Sequence, residues 1–235
     1  MLKKVSIILP TYNRSIKCIN VIKDVLLNQQ YKNVELILIN DGSTKENTTE
    51  IENFLQENKD DENFKKINYI YHENKGLAAS LNVGLEVFKG DYVTWISDDN
   101  KIFDNFIKDL VESMENNINF AYSNYVINNY DKEKIYVYNK YNNISDLINN
   151  FKGMAAFMWS KDIIKKIGYF NIEYSGLCED YDYEIRTFLE TDKIIHIDKY
   201  LIEFYVGEDT QSHKNFKKMK ELHEHIKMKY QNYCI

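Results

Sequence analysis

The chain has little proline and glycine, few cysteines and no long apolar run. One proline and eight glycines in 235 residues leave no flexible linker, so a single domain over residues 1–235 is expected. Three widely spaced cysteines without a CxxC motif argue against a disulfide framework and a zinc knuckle, and they favour a reducing, cytoplasmic compartment. No apolar run approaches the roughly 18 residues that a membrane-spanning helix needs.

An excess of basic residues is also missing. The 30 Lys and Arg residues are outnumbered by 36 Asp and Glu residues, which gives a formal net charge of -6 and argues against a nucleic-acid partner. The opening segment "MLKKVSIILP" has a basic pair and a short apolar run, but it has no small-residue cleavage site. It predicts a first strand rather than a secretory signal.

The first 100 residues alternate between strand-like and helix-like apolar patterns. "KVSIILP", "VELILIN", "INYIYH" and "DYVTWIS" predict four buried strands. Helical spacing predicts helices between the strands. One follows a candidate N-cap at Ser15 and is marked by Ile16, Ile19, Ile22 and Leu26. Another is marked by Leu77, Leu81, Leu85 and Phe88. This order predicts an α/β fold with a parallel sheet and ligands at the carboxyl ends of its strands.

The pattern loosens after residue 104. A helix from Phe106 to Met114 precedes "NFAYSNYVINNYDKEKIYVYN", which predicts two antiparallel strands around a polar turn near Asp131. "MAAFMWS" predicts another strand, "KDIIKKIGYF" a short helix closed at Gly168, and "CEDYDYEIRTFLE" a helix with Tyr181, Ile185, Phe188 and Leu189 available for packing. The last 20 or so residues predict a basic helix.

Acidic residues follow the predicted strands. Strand one ends in "PTYNR", strand two in "NDGST" and strand four in "SDDN", so Asp41, Asp98 and Asp99 should line one crevice. Adjacent carboxylates repel each other, and such a cluster persists where a cation is shared or where solvent screens it. Each motif alone also suits an ordinary turn or a helix start.

The first loop contains no glycine. "PTYNRS" therefore matches neither the GxGxxG motif of dinucleotide-binding domains nor a P-loop, and a pyrophosphorylase would also need a glycine-rich loop there. It contains no acid either, which argues against a phospho-acceptor receiver domain. A divalent cation held by carboxylates would have to neutralise a bound diphosphate instead.

Six segments carry a family resemblance. In order along residues 5–186 they are "VSIILPTYNR", "LILINDGST", "NKGLAASLNVGL", "GDYVTWISDDN", "KIGYF" and "CEDYDYEIR". The chain resembles glycosyltransferase family 2, whose members are inverting enzymes with the GT-A nucleotide-diphospho-sugar transferase fold, a mostly parallel sheet between helices with a small antiparallel insertion. "SDDN" and "FYVGEDTQSHKNF" resemble in particular a spore-coat polysaccharide enzyme of that family.

The resemblance implies roles for individual residues. Asp180 is expected to be the general base and Glu179 an orienting or acceptor-contacting residue. Asp99 is expected to hold Mn²⁺ or Mg²⁺, with His213 as a further candidate ligand. Asp41 is expected to contact the nucleobase imide and Asp98 the ribose. The full set of expected donor-binding residues is Thr11, Tyr12, Asp41, Asn74, Gly76 and Asp98. Ser80 and Ser97 depart from the family pattern, which often has an arginine and an acid at these positions.

The resemblance also implies partners and a division of the chain. Residues 1–103 would bind a nucleotide sugar, with UDP the family's usual nucleotide, residues 104–206 would bind a saccharide or lipid-linked acceptor, and residues 207–235 would form a tail helix. This assigns the chain to polysaccharide biosynthesis for the cell envelope. The lysine-rich tail suits either contact with the inner face of the membrane or a solvated helix docked by Phe216, Met219, Leu222 and Ile226. A binding module that has lost turnover is the alternative function.

Overall fold

The computed structural model describes residues 2–129, 133–206 and 215–234, and these residues form one nine-stranded sheet covered by helices on both faces. The strands are β1 Val5–Thr11, β2 Val34–Asp41, β3 Ile67–His72, β4 Tyr92–Trp95, β5 Lys101–Ile102, β6 Phe120–Asn129, β7 Ile135–Val137, β8 Ala156–Ser160 and β9 Ile194–Val206. The helices are α1 Ser15–Lys23, α2 Lys45–Glu57, α3 Leu77–Val87, α4 Phe106–Ser113, α5 Ile144–Asn150, α6 Lys161–Ile167, α7 Glu179–Glu190 and α8 Phe216–Tyr230.

The strand order places several carboxyl ends at one edge of the sheet. The order is β3-β2-β1-β4-β8-β6-β9-β5, and β7 pairs with β6. β3, β2, β1 and β4 are mutually parallel, whereas β8 is antiparallel to both β4 and β6. β4 and β6 therefore run in the same direction, and their carboxyl ends meet those of β1 and β2. We call this edge, with loop residues 11–14, 41–44, 73–76 and 97–99, the carboxyl rim.

Alternating side chains of the buried strands build two cores. Leu36 and Leu38 of β2 join one core with α1, α2 and α4, while Ile37 and Ile39 join the other with α3 and α5 to α8. This two-sided burial explains why β1 and β2 read as continuous apolar runs, since successive residues of a strand point to opposite faces. Each fully buried aliphatic side chain contributes about 1.5–3 kcal/mol of transfer free energy.

Most of the predicted elements are present, with local corrections. β6 and β7 pair antiparallel as predicted, although the turn near Asp131 lies outside the described residues. Helix α1 begins at Ser15, but the N-cap position is Arg14, and the Ser15 hydroxyl instead donates to Asn47 Oδ1 at 2.9 Å. Ile16 and Leu189 were expected to pack inside, but both are exposed. Helix α6 ends at Gly168, whose φ of 73° suits a residue without a side chain.

The carboxyl-terminal helix packs on the second core through part of its predicted apolar face. Ile226 and Tyr230 are buried, and Met219 and Leu222 pack against them, but Phe216 is 63% exposed and does not dock the helix as predicted. In the part of the chain that the structure describes, no helix is long and apolar enough to cross a membrane.

Candidate active site

The loops that follow β1 and β2 are tied together at the carboxyl rim. Asn13 has a φ of 55°, its backbone N–H donates to Ser43 Oγ at 2.9 Å, and its Oδ1 accepts the N–H of Thr44 at 2.7 Å. Asparagine is among the side chains that tolerate this left-handed conformation. The turn therefore fixes where Tyr12 and Arg14 leave the end of β1.

Asp41 organises the loop between β3 and α3. Its carboxylate accepts the backbone N–H groups of Lys75 at 2.8 Å and Gly76 at 3.0 Å, and its carbonyl oxygen accepts Asn74 Nδ2 at 3.0 Å. His72 Nδ1 lies 3.4 Å from Asp41 Oδ1. The structure thus brings together three of the residues predicted to bind the donor, which are Asp41, Asn74 and Gly76.

Gly42 allows two loops of the rim to touch. Its φ is +69°, and a Cβ atom at this position would lie 2.4 Å from the backbone nitrogen of Asn74. Any side chain at Gly42 would push the loop of Asn74 and Gly76 away from Asp41. The glycine in "NDGST" is therefore required by this close approach, as well as by the turn.

Asp98 and Asp99 lie beside the end of β1. Thr11 Oγ1 donates to Asp98 Oδ2 at 2.7 Å, and Ser97 Oγ donates to Asp99 Oδ1 at 2.7 Å. Arg14 Nη1 contacts both acids, at 3.2 Å from Asp98 Oδ1 and 2.6 Å from Asp99 Oδ2. Burial raises the pKa of Asp98, although Thr11 and Arg14 favour its ionised form. Asp98 is buried, and Asp99 is the more accessible of the two acids.

Tyr12 and Thr11 occupy different surroundings. The Tyr12 side chain is 48% exposed at the rim, where it is free to meet a ligand, whereas Thr11 is buried with its hydroxyl on Asp98. His213, the further candidate metal ligand, lies outside the described residues.

The acid pair fits a metal site that the substrate completes. Within residues 2–129, 133–206 and 215–234, no group of three or more His, Cys, Asp or Glu side chains could hold a metal ion alone. Mg²⁺ commonly uses only one or two carboxylates and takes further ligands from water and substrate phosphates. Asp99, with 19% of its side chain exposed, offers such a carboxylate.

A second group of acids opens helix α7. Asp180 Oδ1 accepts the N–H of Tyr181 at 2.8 Å, and burial raises the pKa of Asp180 to about 6. Asp180 itself is half-buried at the start of α7. Burial and the charge of Asp180 also raise the pKa of Glu179, whose carboxylate accepts the N–H of Leu177 at 3.0 Å.

Glu184 lies one helical turn after Asp180. It is 1% exposed, and neither carboxylate oxygen has a hydrogen-bond partner among the described residues. Burial, and then the charge of Asp180, raises the pKa of Glu184 well above its ordinary value. Burial and the charge of Asp180 therefore both oppose the ionisation of Glu179 and Glu184.

Asp182 is directed to the opposite side of α7 and is fully paired. It accepts Arg186 Nε at 2.8 Å, Lys229 Nζ at 2.9 Å and the Tyr230 hydroxyl at 2.8 Å. Burial opposes ionisation, but Arg186 and Lys229 outweigh it and lower the pKa of Asp182. This aspartate fastens α8 to α7 and is not available for chemistry.

One hydroxyl joins α7 to the carboxyl rim. Ser175 Oγ, in the loop before α7, accepts the N–H of Ala78 at 2.9 Å in the first turn of α3. A Cβ atom on Gly76 would lie 2.8 Å from the same oxygen. Since Gly76 is bound to Asp41, this contact sets the loop before α7 beside the loop that Asp41 organises.

Two clefts lie at the other edge of the sheet. A cleft of about 440 Å³ is lined by residues around Asn119 and Lys193, and one of about 340 Å³ by residues around Glu35 and Asn68. Both adjoin the amino ends of strands. Ligands of open α/β sheets bind at the carboxyl ends, so the carboxyl rim is the candidate site.

The fold and this acid-lined rim define the class of protein, a GT-A glycosyltransferase. Residues 6–169 match the family model described as Glycosyl transferase family 2. The chain belongs to glycosyl transferase family 2. This confirms the family and the transferase class predicted from the sequence.

Relatives and solved structures agree with this assignment. An uncharacterized glycosyltransferase of Haemophilus influenzae is 32% identical over 75% of this chain and 68% of its own length. Glycosyltransferase GlyA of Streptococcus pneumoniae is 25% identical over 89% of this chain but only 31% of its own length. The match to an uncharacterized glycosyltransferase of Rickettsia bellii covers 18% of that protein's length. The chain therefore spans a minor part of some relatives.

Two solved structures show the same fold at low identity. S. aureus TarS 1–349 in complex with UDP-GlcNAc superposes with a TM-score of 0.72 at 18% identity, over 95% of this chain and 66% of that chain. The mannosyltransferase PcManGT from Pyrobaculum calidifontis, in complex with GDP-Man and Mn²⁺, superposes with a TM-score of 0.71 at 11% identity, over 99% of this chain and 65% of that chain. These likenesses confirm the predicted GT-A fold.

Sequence reasoning missed three residues of the site. Arg14 reads as a loop cation, His72 as the end of an edge strand and Ser175 as a turn residue, yet all three contact the rim. The only signal in the sequence was position, because Arg14 lies in the loop after β1 and His72 ends β3, and the carboxyl ends of both strands lie at the rim.

Proposed function

We propose that the chain is a metal-dependent inverting glycosyltransferase that moves a sugar from a nucleotide-diphosphate donor, with UDP the favoured nucleotide, to a hydroxyl of a glycan or lipid-linked acceptor. The observation that carries this proposal is the acid pair Asp98 and Asp99 at the carboxyl rim, which Thr11 and Arg14 hold beside the end of β1. The hydrogen bond that Ala78 donates to Ser175 ties the loop before α7 to the start of α3, and it supports a place for Glu179 and Asp180 near the rim.

The donor is assigned to the loops around Asp41. Asp41 would accept the imide N–H of the nucleobase, Tyr12 would lie against the base, and Asp98 would face the ribose. Thr11, Asn74 and Gly76 hold these groups in place through the hydrogen bonds of the rim. The complexes of TarS with UDP-GlcNAc and of PcManGT with GDP-Man support a nucleotide sugar as the ligand of this fold.

Asp99 is the residue assigned to the cation. When bound there, Mn²⁺ or Mg²⁺ would supply positive charge to the diphosphate leaving group. The other groups act directly on the reactants. Asp180 would take the proton from the acceptor hydroxyl as that oxygen attacks the anomeric carbon from the face opposite the diphosphate, so the configuration inverts. Glu179, buried and bound to Leu177, would orient the start of α7.

Metal-dependent nucleotide binding tests the donor site. We expect UDP near 100 times its Kd to raise the melting temperature by about 5–10 °C with Mn²⁺ present. EDTA should abolish most of this shift, and so should Asp99→Asn. Asp162→Asn, at an exposed position of α6, is the matched control and should behave as wild type. An equal shift with EDTA and with Mn²⁺ would contradict the role of Asp99, and no shift with any nucleotide would contradict the proposed donor site.

Helix α8 is the proposed contact with an anionic membrane that holds a lipid-linked acceptor. Lys229 is taken by Asp182, but Lys217, Lys218 and Lys220 are not buried, and Phe216 beside them is 63% exposed. Each lysine near an anionic surface contributes about 1 kcal/mol, so replacing these three by Glu should lower flotation with phosphatidylserine vesicles by about tenfold or more. Equal flotation of both proteins would remove this part of the proposal.

A further inference from the structure

Arg14 bridges the acid pair of the carboxyl rim, Asp98 and Asp99. A single nitrogen, Nη1, lies 3.2 Å from Asp98 Oδ1 and 2.6 Å from Asp99 Oδ2. The side chain is 33% exposed, whereas the two carboxylates are mostly covered. One guanidinium thus offsets the repulsion between two adjacent carboxylates.

The position of Arg14 is set by the fold. The preceding residue, Asn13, is held on the loop after β2 by its bonds to Ser43 and Thr44. Arg14 itself has the extended φ of -141° at the N-cap position of α1 and makes no capping bond there. Its side chain therefore starts from a fixed point and contacts Asp98 and Asp99, which lie 84 and 85 positions later in the sequence.

Both oxygens of Asp99 are engaged by protein donors. Oδ1 accepts Ser97 Oγ at 2.7 Å, and Oδ2 accepts Arg14 Nη1 at 2.6 Å. Ser97 stays hydrogen-bonded to Oδ1 without opposing a cation, because a hydroxyl is uncharged. A divalent cation on Oδ2 would meet the guanidinium directly, and two positive groups cannot share that oxygen at contact distance without strong repulsion.

We propose that Arg14 is an internal counter-ion of the donor site, which competes with the divalent cation for Asp99 and binds the donor diphosphate once the cation has taken its place. This inference rests on the proposed function, since it takes Asp99 as the cation ligand. A guanidinium released from Asp99 lies next to the position that the diphosphate must occupy, and its planar set of N–H groups matches phosphate oxygens.

Manganese binding without nucleotide tests the competition. Free Mn²⁺ is measured by electron paramagnetic resonance while the full chain, Arg14→Gln or Lys17→Gln is titrated. Lys17, exposed on α1, controls for the loss of one positive charge. Arg14→Gln should bind Mn²⁺ about three- to fivefold more tightly than wild type, and Lys17→Gln should bind as wild type. Unchanged, weaker or undetectable binding of Mn²⁺ by Arg14→Gln would overturn the competition.

UDP binding at saturating Mn²⁺ tests the second part of the proposal, that Arg14 binds the donor diphosphate. Calorimetry should show that Arg14→Gln binds UDP about three- to tenfold more weakly, because a charge-assisted bond to phosphate is lost. Equal UDP affinity would overturn the transfer of Arg14 to the diphosphate. Asp99→Asn separates the two proposals: if it keeps Mn²⁺-dependent UDP binding, the assignment of Asp99 fails whatever Arg14→Gln does. Thermal melting of each variant confirms that it is folded.

Discussion

Replacing Asp180 by asparagine is expected to slow glycosyl transfer by about two orders of magnitude or more, because asparagine keeps the shape of the side chain and loses its basicity. The dissociation constant for the nucleotide diphosphate should stay within about threefold, since Asp180 is on α7 and not among the groups proposed to hold the donor. Transfer is measured with donor and acceptor saturating, and nucleotide affinity by calorimetry.

Glu179→Gln is the matched control. Burial and the charge of Asp180 raise the pKa of Glu179, and glutamine keeps an oxygen to accept the Leu177 N–H, so this variant should stay within about threefold of wild type. If Glu179→Gln lost activity and Asp180→Asn kept it, the base would be Glu179.

The pH profile gives an independent check on the same residue. Because burial raises the pKa of Asp180 to about 6, its carboxylate is lost as the pH falls through that value, and transfer should fall about tenfold per unit below it. An aspartate with an ordinary pKa would hold its activity to near pH 4. The residual activity of Asp180→Asn should lack this limb.

Replacing Asp182 by alanine is expected to lower the free energy of unfolding by about 3 kcal/mol, because Arg186, Lys229 and Tyr230 lose their shared partner next to the core. For a chain of this size that is a fall of about 6–12 °C in melting temperature. Asp162→Ala, which breaks only an exposed pair with Lys165 at 3.8 Å, should change the free energy by less than about 0.5 kcal/mol.

The effect of Asp182 should depend on pH in a defined direction. Its pKa is lowered in the folded protein, so the stability that it contributes is complete above the ordinary pKa of an aspartate and is lost as the pH falls toward its lower folded pKa. The gap in melting temperature between wild type and Asp182→Ala should therefore narrow in acid. A gap that stayed constant or widened in acid would show that the aspartate stabilises the fold by packing rather than by charge.

The first half of the sheet was predictable because its strands are buried on both faces. β1 and β2 have nearly continuous apolar sequences, which predict buried β-strands. β9 was missed, although it is 13 residues long, because the ladder with β6 is irregular around Asp198 and Lys199 and these charges interrupt the apolar pattern. β5 has only two residues and is defined by its partner Ile202 rather than by its own sequence.

The site was predictable where a residue's place in the chain fixes its place in space. Asp41, Asp98 and Asp99 end or follow parallel strands, so sheet topology alone brings them to one rim. Arg14 was not predictable, because its contact with Asp99 spans 85 positions and depends on the turn at Asn13.

The hydrogen bond from Ala78 to Ser175 has a consequence for how the two proposed substrates affect each other's binding. It joins the start of α3, next to the proposed donor loop, to the loop that precedes the proposed base, so a shift of one segment on binding would be transmitted to the other. Binding linkage is reciprocal: the factor by which donor strengthens acceptor binding is the factor by which acceptor strengthens donor binding. On the proposed function, a single shared hydroxyl would therefore make the donor and the acceptor allosteric effectors of each other.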